Sequence, residues 1–165
     1  MLIPKLMAAV VAMAMTGCSF AQTQERAYFP YQGYWLGADG GYSVDLGNGT
    51  SIWLLDDSFI NVANDGSRSN SFFVHNTVAI TPHSSCPWTT SSCGNANYYW
   101  NTNVTPIFNQ DLQSSSYYYW PLDGFMYNGT LYVVLNQVYN SGSNPFPPTV
   151  ATYIAKVPNA ASTEG

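Results

Sequence analysis

Residues 35–59 combine two strand-like segments with an Asn-Gly pair between them, and this arrangement constrains the fold more than any other feature. Tyr42–Leu46 alternates apolar and polar residues, which is the period of a strand with one buried face. Asn48-Gly49 follows, and this pair favours a type I′ turn, whose two central residues both need a positive φ. Ile52–Leu55 is a near-continuous apolar run, typical of a strand covered on both faces. The stretch therefore predicts a β-hairpin.

A second copy of this pattern lies further along the chain. Asn128-Gly129 again precedes an apolar segment, Leu131–Leu135, and an Asp-Gly pair stands upstream at Asp123-Gly124 as it does at Asp39-Gly40. A β-unit that recurs in this way is typical of a radial array of four-stranded blades, each beginning with Asp-Gly on its innermost strand. The alternative is chance recurrence, because the chain is rich in Asn, Gly and Thr.

The rest of the chain also has the pattern of strands and loops. Phe72–Ile80 and Val150–Val157 have the composition of strands, whereas Pro82–Asn97 is a long loop rich in Ser, Thr, Pro and Gly. No segment beyond the N-terminal region shows sustained helical periodicity. The sequence therefore predicts an all-β domain of antiparallel strands over residues 33–158, followed by a short tail at 159–165.

Composition restricts the functional classes. Charged residues make up 8% of the chain, against about 25% in an average soluble domain. Tyr, Asn, Ser, Thr and Gly supply the polarity instead, a mixture that is common on exported, sugar-handling or adhesive surfaces. The four basic residues are scattered, so no basic patch is expected and nucleic acid is excluded as a partner. A chain of 165 residues fits one domain.

Residues 1–17 are predicted to be a lipoprotein signal peptide. Leu6–Met15 is apolar but too short for a permanent transmembrane helix. Thr16-Gly17-Cys18 then resembles the lipobox of bacterial lipoproteins, and this resemblance implies that Cys18 carries the lipid. Secretory cleavage near Ala21 is the alternative. Residues 18–32 form a predicted tether, and the expected location is the cell envelope, with a lipid anchor in the outer membrane, or the outside of the cell.

Two further cysteines lie in the long loop. Cys86 and Cys93 have six residues between them, and in an exported protein they are predicted to form a local disulfide. Two free thiols are the alternative. No metal site is predicted, because His83 is the only nearby ligand of a suitable kind. No cofactor is expected; a calcium ion in a central channel is the alternative, and the sequence does not indicate it.

Several motifs together resemble a known group of proteins. Residues 35–44 followed by Trp53–Phe59, the strand Val74–Thr77 and the step Trp120–Gly124 resemble bacterial five-bladed β-propeller families of unknown activity, which are similar to glycoside hydrolase family 43. The resemblance implies a partial β-propeller of about two blades from the N-terminal part of a longer protein, because five blades need about 300 residues. A complete β-sandwich is the alternative. Asp56 departs from the families' pattern, which usually has Gly there.

The resemblance also implies a site of the glycosidase type. In such propellers one carboxylate acts as base on a water molecule, a protonated carboxyl acts as acid on the leaving oxygen, and a third carboxylate tunes them. Asp39 corresponds to the general base and Asp123 to the tuning carboxylate, although an Asp before Gly often only forms a turn. The acid is missing, because the only glutamates are Glu25 in the tether and Glu164 at the end. The chain alone is therefore not expected to be a complete hydrolase.

Aromatic residues and a histidine complete the predicted site. Trp35, Trp100 and Trp120 are candidate platforms for sugar rings, because aromatic side chains offer a large apolar face with a polar tip. His75 is a candidate for binding near the channel axis. A packing role is the alternative for each of them. The sequence thus predicts a domain that binds or hydrolyses a polysaccharide or oligosaccharide. A non-catalytic carbohydrate-binding or adhesive module and a purely structural domain are the alternatives.

Overall fold

A computed structural model gives the fold, and it describes residues 34–82, 96–101, 105–108, 116–140, 142 and 147–162. These residues contain eight strands and one short 3₁₀ helix at Arg68–Asn70, and no α-helix. The strands are β1 (Trp35–Asp45), β2 (Thr50–Ile60), β3 (Phe72–Val74), β4 (Thr77–Pro82), β5 (Asn97–Tyr99), β6 (Tyr117–Tyr127), β7 (Thr130–Tyr139) and β8 (Thr149–Pro158). The prediction of an all-β fold is confirmed. Within the described ranges no helix is long and apolar enough to cross a membrane.

The strands form two antiparallel sheets, and each sheet follows the order of the chain. The first sheet has the order β1-β2-β4-β5, and the short β3 pairs with the last residues of β2. The second sheet has the order β6-β7-β8. Each sheet therefore begins with one of the two long hairpins that the Asn-Gly pairs predict.

The two sheets pack against each other, with β6 in contact with β1 and β2. The buried residues of this shared core are Val44, Leu54 and Val78 from the first sheet and Tyr119, Leu131, Val133 and Leu135 from the second. Gly124 lies where the sheets approach closely, because a Cβ atom there would be 3.0 Å from Val44 and 3.2 Å from Leu54. Two packed sheets are consistent with both predicted architectures, the partial propeller and the β-sandwich.

A second core covers the opposite face of the first sheet. Its buried residues are Trp35, Trp53, Leu55, Ile60, Val74, Ala79 and Ala96. Trp53 and Leu55 belong to this core and Leu54 to the shared core, as the alternation of side chains along a strand requires. Strand β2 is thus covered on both faces, as its apolar run predicts.

Strand β2 is longer than its sequence pattern indicates. The apolar run ends at Leu55, but the strand continues to Ile60. The start of β1 pairs with this extension on one side and β3 pairs with it on the other. Because both edges of the extension are paired, two consecutive aspartates lie inside the sheet.

The predicted strand Phe72–Ile80 is divided into β3 and β4 by His75-Asn76. Asn76 is fully buried. Its side-chain NH₂ donates to the carbonyl oxygen of Tyr119 at 2.9 Å, and its side-chain oxygen accepts from the backbone amide of Phe108 at 2.8 Å. These bonds link the first sheet to β6 and to the segment 105–108, and they satisfy polar groups that are costly to bury unpaired.

Candidate functional site

A β-bulge between β1 and β2 brings three carboxylates to one place. The ladder pairs on either side of the bulge are Ala38–Ser58 and Gly40–Leu55. Between these pairs Asp39 alone faces two residues, Asp56 and Asp57. A bulge leaves one residue outside the ladder and re-aims the side chains around it, and bulges are frequent next to active sites. We refer to Asp39, Asp56 and Asp57 as the carboxylate cluster.

Asp56 is the partly buried member of the cluster. Its carboxyl group lies against Gly40, where a Cβ atom would be only 2.6 Å from Asp56 Oδ2. Its Oδ1 atom is buried and has no hydrogen-bond partner among the described residues. Desolvation, and after it the charges of Asp39 and Asp57, raise the pKa of Asp56 to about 7. A substantial fraction of Asp56 is therefore protonated at neutral pH.

Asp39 is the solvent-exposed member. Desolvation, and after it the charge of Asp57, raise the pKa of Asp39 above its usual value. Hydrogen bonds from the backbone amides of Asp39 and Asp57 oppose this rise. The result is an accessible carboxylate whose basicity the site increases.

Asp57 is held by donors from two other elements. Its Oδ1 atom accepts from Trp120 Nε1 and from His75 Nδ1, each at 3.0 Å. Because the acceptor is a carboxylate, the proton of this second bond lies on Nδ1 of the histidine. Trp120 is on β6 and His75 lies between β3 and β4, so Asp57 connects the two sheets. Its position is thus fixed by the fold.

An aromatic stack completes this connection. The ring of His75 stacks on Tyr118 with centroids 3.6 Å apart and planes at 9°, and Tyr118 contacts Trp120 edge-on at 5.4 Å. Desolvation and the charge of Asp57 raise the pKa of the Tyr118 hydroxyl. The tyrosine therefore stays protonated throughout the neutral range, as a neutral group beside the carboxylate cluster.

The structure brings some of the predicted site residues together. Asp39, His75 and Trp120 all lie around Asp57. Asp123 is exposed, and its Oδ1 atom accepts from the backbone amide of Gly124 at 2.7 Å. The carboxylates whose charges raise the pKa of Asp56 are those of the cluster, and Asp123 is not one of them.

The other two predicted sugar platforms lie in the second core. Trp35 is buried and stacks on Tyr98 with centroids 4.1 Å apart and planes at 11°. Trp100 is partly buried against the same core. Cys18, Cys86 and Cys93 lie outside the described residues.

A comparison with protein families assigns the chain at this point. Residues 23–163 match the model of a family described as "Domain of unknown function (DUF5005)". The chain belongs to the DUF5005 family. A search of curated proteins finds no significant match.

Among solved structures, the DUF5005 domain is similar to a crystal structure of a "putative hydrolase" from Bacteroides ovatus ATCC 8483. The TM-score is 0.61 at 21% sequence identity, and the match covers 80% of this chain. It spans 37% of the length of that protein. At this identity the match shows a shared fold.

The sequence analysis missed Asp56 and Asp57 as members of the site of the DUF5005 domain. The available signal was the Asp-Asp pair directly after an apolar run, opposite an Asp-Gly pair on the preceding strand. Identifying the cluster also required the register of the bulge, which packing decides. In the part of the chain that the structure describes, no group of three or more His, Cys, Asp or Glu side chains is arranged to hold a metal ion.

Proposed function

We propose that this DUF5005 domain is the N-terminal part of a glycosidase-like β-propeller that hydrolyses polysaccharide, with Asp39 as the general base. The observation that carries the proposal is the carboxylate cluster. It combines an exposed carboxylate of increased basicity, Asp39, with a carboxyl that is partly protonated at neutral pH, Asp56. Neighbouring carboxyl groups whose environments give them different pKa values are typical of sites for acid–base chemistry.

In the proposed reaction, Asp39 takes a proton from the water molecule that attacks the anomeric carbon, and the glycosidic C–O bond breaks as the leaving oxygen receives a proton. Asp56 is the tuning residue, because its Oδ1 atom is buried and its carboxyl packs on Gly40. It thus takes the role that the resemblance implied for Asp123. The group that protonates the leaving oxygen is proposed to lie outside the described residues, since neither glutamate is among them.

The topology of the sheets supports the propeller over the sandwich. Each sheet is a meander in chain order, as propeller blades are. The contacts between the sheets are richest between β1 and β6, the first strand of each. The first strands of neighbouring blades meet in this way around a central channel.

The proposed location is the cell envelope. It rests on the signal pattern of residues 1–17, with Cys18 as the lipidated residue. In that location Cys86 and Cys93 are proposed to form a disulfide. Incorporation of labelled palmitate into the intact chain, and its loss in Cys18→Ser, tests the anchor. An unlabelled wild-type chain contradicts it.

The catalytic test is the Asp39→Asn variant made in the full-length gene product, because this chain alone lacks the expected acid. It is assayed by release of reducing ends from a panel of polysaccharides. We expect hydrolysis to fall by about 10²–10⁴-fold, which is the usual contribution of a positioned general base. Asp45→Asn is the matched control, because Asp45 is also an exposed aspartate of β1 but its carboxylate accepts from Gly47 in the hairpin turn. Equal turnover by Asp39→Asn and wild type overturns the assignment of the base.

One observation favours a second candidate, a carbohydrate-binding module without catalysis. Phe125 is half exposed, and its ring lies parallel to Tyr132 with centroids 5.2 Å apart. The exposed part of the Phe125 ring, backed by Tyr132, offers an apolar face of the kind on which sugars stack. Polysaccharide binding without hydrolysis, weakened in Phe125→Ala and unaffected in Asp39→Asn, supports this second candidate.

A further inference from the structure

A recess lies along the start of β1, next to the carboxylate cluster. Its volume is about 420 Å³, which is within the range of small-molecule sites. The residues that line it include the tryptophans Trp35 and Trp53, the glycines Gly37, Gly40 and Gly41, and Arg68. We refer to it as the Arg68 cleft. Gly40 lines the cleft and also contacts the carboxyl of Asp56, so the cleft adjoins the proposed catalytic residues.

The glycines keep the cleft open. A Cβ atom at Gly41 would meet nothing within 4 Å, so a side chain there would project into open space. Gly37 and Gly41 have φ values of +147° and +135°, which side chains rarely adopt. At these positions the lining is main chain without side chains, so a ligand can approach the backbone closely.

Arg68 is held in place by packing. Its guanidinium lies over the ring of Phe59, with Cζ 5.2 Å from the ring centroid. A Cβ atom at Gly37 would be 3.3 Å from its Nη2 atom, so the guanidinium also packs on the β1 backbone. Two separate contacts thus orient the side chain towards the cleft.

The loop that carries Arg68 is ordered by one carboxylate. Asp65 accepts hydrogen bonds from the Ser67 amide at 2.8 Å, from the side chain of Asn70 at 2.9 Å and from the side chain of Asn61. These bonds lower the pKa of Asp65 and enclose Arg68 within one compact loop. A ligand that bonds to Arg68 therefore meets a preorganised cation.

The charge of Arg68 is not neutralised by the described residues. The one ion pair among them joins His75 and Asp57. The charges that shift the pKa of Asp39 and Asp56 come from other carboxylates and not from Arg68. The guanidinium thus has donors available for a ligand.

We infer that the Arg68 cleft binds an acidic sugar residue, with Arg68 as the partner of the anionic group and the glycine backbone as the partner of the ring hydroxyls. This inference rests on the proposed function for the idea that the ligand is a carbohydrate, and it names the substrate class of that site. The guanidinium fork matches a carboxylate or a sulfate bidentately, so a uronate and a sugar sulfate share the required chemistry. The partial protonation of Asp56 at neutral pH reduces repulsion of such an anion.

The test measures binding of trigalacturonate, galactose 6-sulfate and the neutral trimer galactotriose to the intact chain by titration calorimetry and amide NMR. We expect trigalacturonate or galactose 6-sulfate to bind at least about tenfold more tightly than galactotriose, which corresponds to about 1.4 kcal/mol. Amide shifts should centre on Gly37 to Gly41. The affinities for galactose 6-sulfate and trigalacturonate show whether the cleft prefers a sulfate or a carboxylate.

Arg68→Met keeps the length of the side chain without its charge, and it should lose this preference. Lys156→Met is the matched control, because it removes one positive charge from β8, where the ammonium lies over Tyr132. Arg68→Lys should give intermediate binding, since it keeps the charge but loses the fork. Equal weakening by Arg68→Met and Lys156→Met overturns the inference, as does equal binding of the neutral trimer or no binding of either anion.

Binding and hydrolysis separate this inference from the proposed function. If Asp39→Asn hydrolyses as well as wild type while trigalacturonate still depends on Arg68, the proposed catalytic role fails and the acidic-sugar site stands. If Asp39 is required for hydrolysis of a neutral polysaccharide and Arg68→Met changes nothing, the acidic-sugar site fails and the catalytic role stands.

Discussion

The two long hairpins share a motif but differ in what surrounds it. Strands β1 and β6 are both eleven residues long, and each contains an Asp-Gly pair, Asp39-Gly40 in one and Asp123-Gly124 in the other. In the first hairpin the ladder partner of the glycine is followed by Asp56 and Asp57. In the second hairpin the corresponding residues are Val134 and Leu135. The same local motif therefore lies in an acidic setting once and in an apolar setting once.

Each hairpin has a β-bulge, and the strand that carries the extra residue of the bulge differs between them. This difference explains why Asp39 joins a cluster of carboxylates and Asp123 does not. In the first hairpin the irregularity leaves Asp39 facing two residues of β2. In the second it leaves Leu122 as the extra residue on β6, between Pro121 and Asp123. A bulge that adds its residue to the other strand aims the aspartate differently. Asp123 consequently bonds to the amide of Gly124 and stays exposed.

The two glycines make room for opposite kinds of group. At Gly40 the closest atom to a Cβ would be a carboxylate oxygen of Asp56, at 2.6 Å. At Gly124 the closest atoms would be a methyl carbon of Val44 at 3.0 Å and the carbonyl oxygen of Tyr132 at 3.1 Å. The first glycine thus accommodates a polar site, and the second allows the two sheets to pack tightly.

The largest expected effect comes from placing an aspartate in the second hairpin, at the position that corresponds to Asp57. Leu135 is the ladder equivalent of Asp57 and is 5% exposed in the shared core. Leu135→Asp removes a core side chain and buries a charge without the donors that Asp57 has. We expect the free energy of unfolding at pH 7.5 to fall by about 4 kcal/mol or more, measured by denaturant titration.

Leu135→Asn is the control for the charge, because it has the same shape as the aspartate variant. It should cost about 3 kcal/mol, from the lost packing and the buried amide. The difference between the two variants should shrink as the pH falls, because the buried aspartate becomes protonated. If the two variants have the same free energy of unfolding at pH 7.5, the second hairpin tolerates a buried charge. That result would contradict the contrast drawn between the two hairpins.

A smaller effect is expected from replacing Asp56, one of the three carboxylates of the cluster in the first hairpin. Asp56 has a pKa of about 7 in the folded chain, against about 3.9 in an unfolded chain. Between these values the folded state binds more protons, so stability falls as the pH rises from about 4 to about 7 and is constant above that. Asp56→Asn should remove most of this decline. Allowing for solvent screening, we expect a gain of about 1 kcal/mol at pH 8, measured by thermal unfolding across the pH range.

Asp65 gives a control of opposite sign. Hydrogen bonds from its own loop lower the pKa of Asp65, so its contribution is present above the unfolded value and is lost as the pH falls through the lowered one. Asp65→Asn should therefore lower stability above about pH 4, approach wild type at the acid end, and leave the decline between pH 4 and pH 7 unchanged. If Asp56→Asn leaves the decline between pH 4 and pH 7 intact, Asp56 is not the group responsible for it.

Local signals in the sequence predict the hairpins and the all-β class, because alternation and Asn-Gly pairs act within one strand or one turn. Asp39 became a candidate through the resemblance to the propeller families, because an Asp before Gly by itself often only forms a turn. Asp56 and Asp57 are not accessible to such reasoning. Their place beside Asp39 depends on β2 continuing past its apolar run, which β3 and the bulge bring about together. The bonds from His75 and Trp120 to Asp57 likewise depend on how the two sheets dock.

The two hairpin turns have the same Asn-Gly-Thr sequence but different backbones. Asn128 and Gly129 have φ values of +48° and +74°, as the predicted type I′ turn requires. In the first hairpin Gly49 has a positive φ and Asn48 does not, so this turn is not of type I′. There the side chain of Asn48 accepts from the Thr50 amide at 3.1 Å and donates to the Ala161 carbonyl at 2.9 Å. One asparagine is thus needed for its backbone and the other for its side chain.

This difference gives the smallest predicted effect and a clear test. Replacement of either asparagine by alanine should cost about 0.5–1 kcal/mol, for backbone strain at Asn128 and for lost hydrogen bonds at Asn48. Glycine separates the two causes, because it adopts a positive φ without strain but forms no side-chain bond. Asn128→Gly should therefore unfold at nearly the wild-type denaturant midpoint, whereas Asn48→Gly should lose at least as much stability as Asn48→Ala. Rescue by glycine at both positions would mean that the two turns share one backbone in solution.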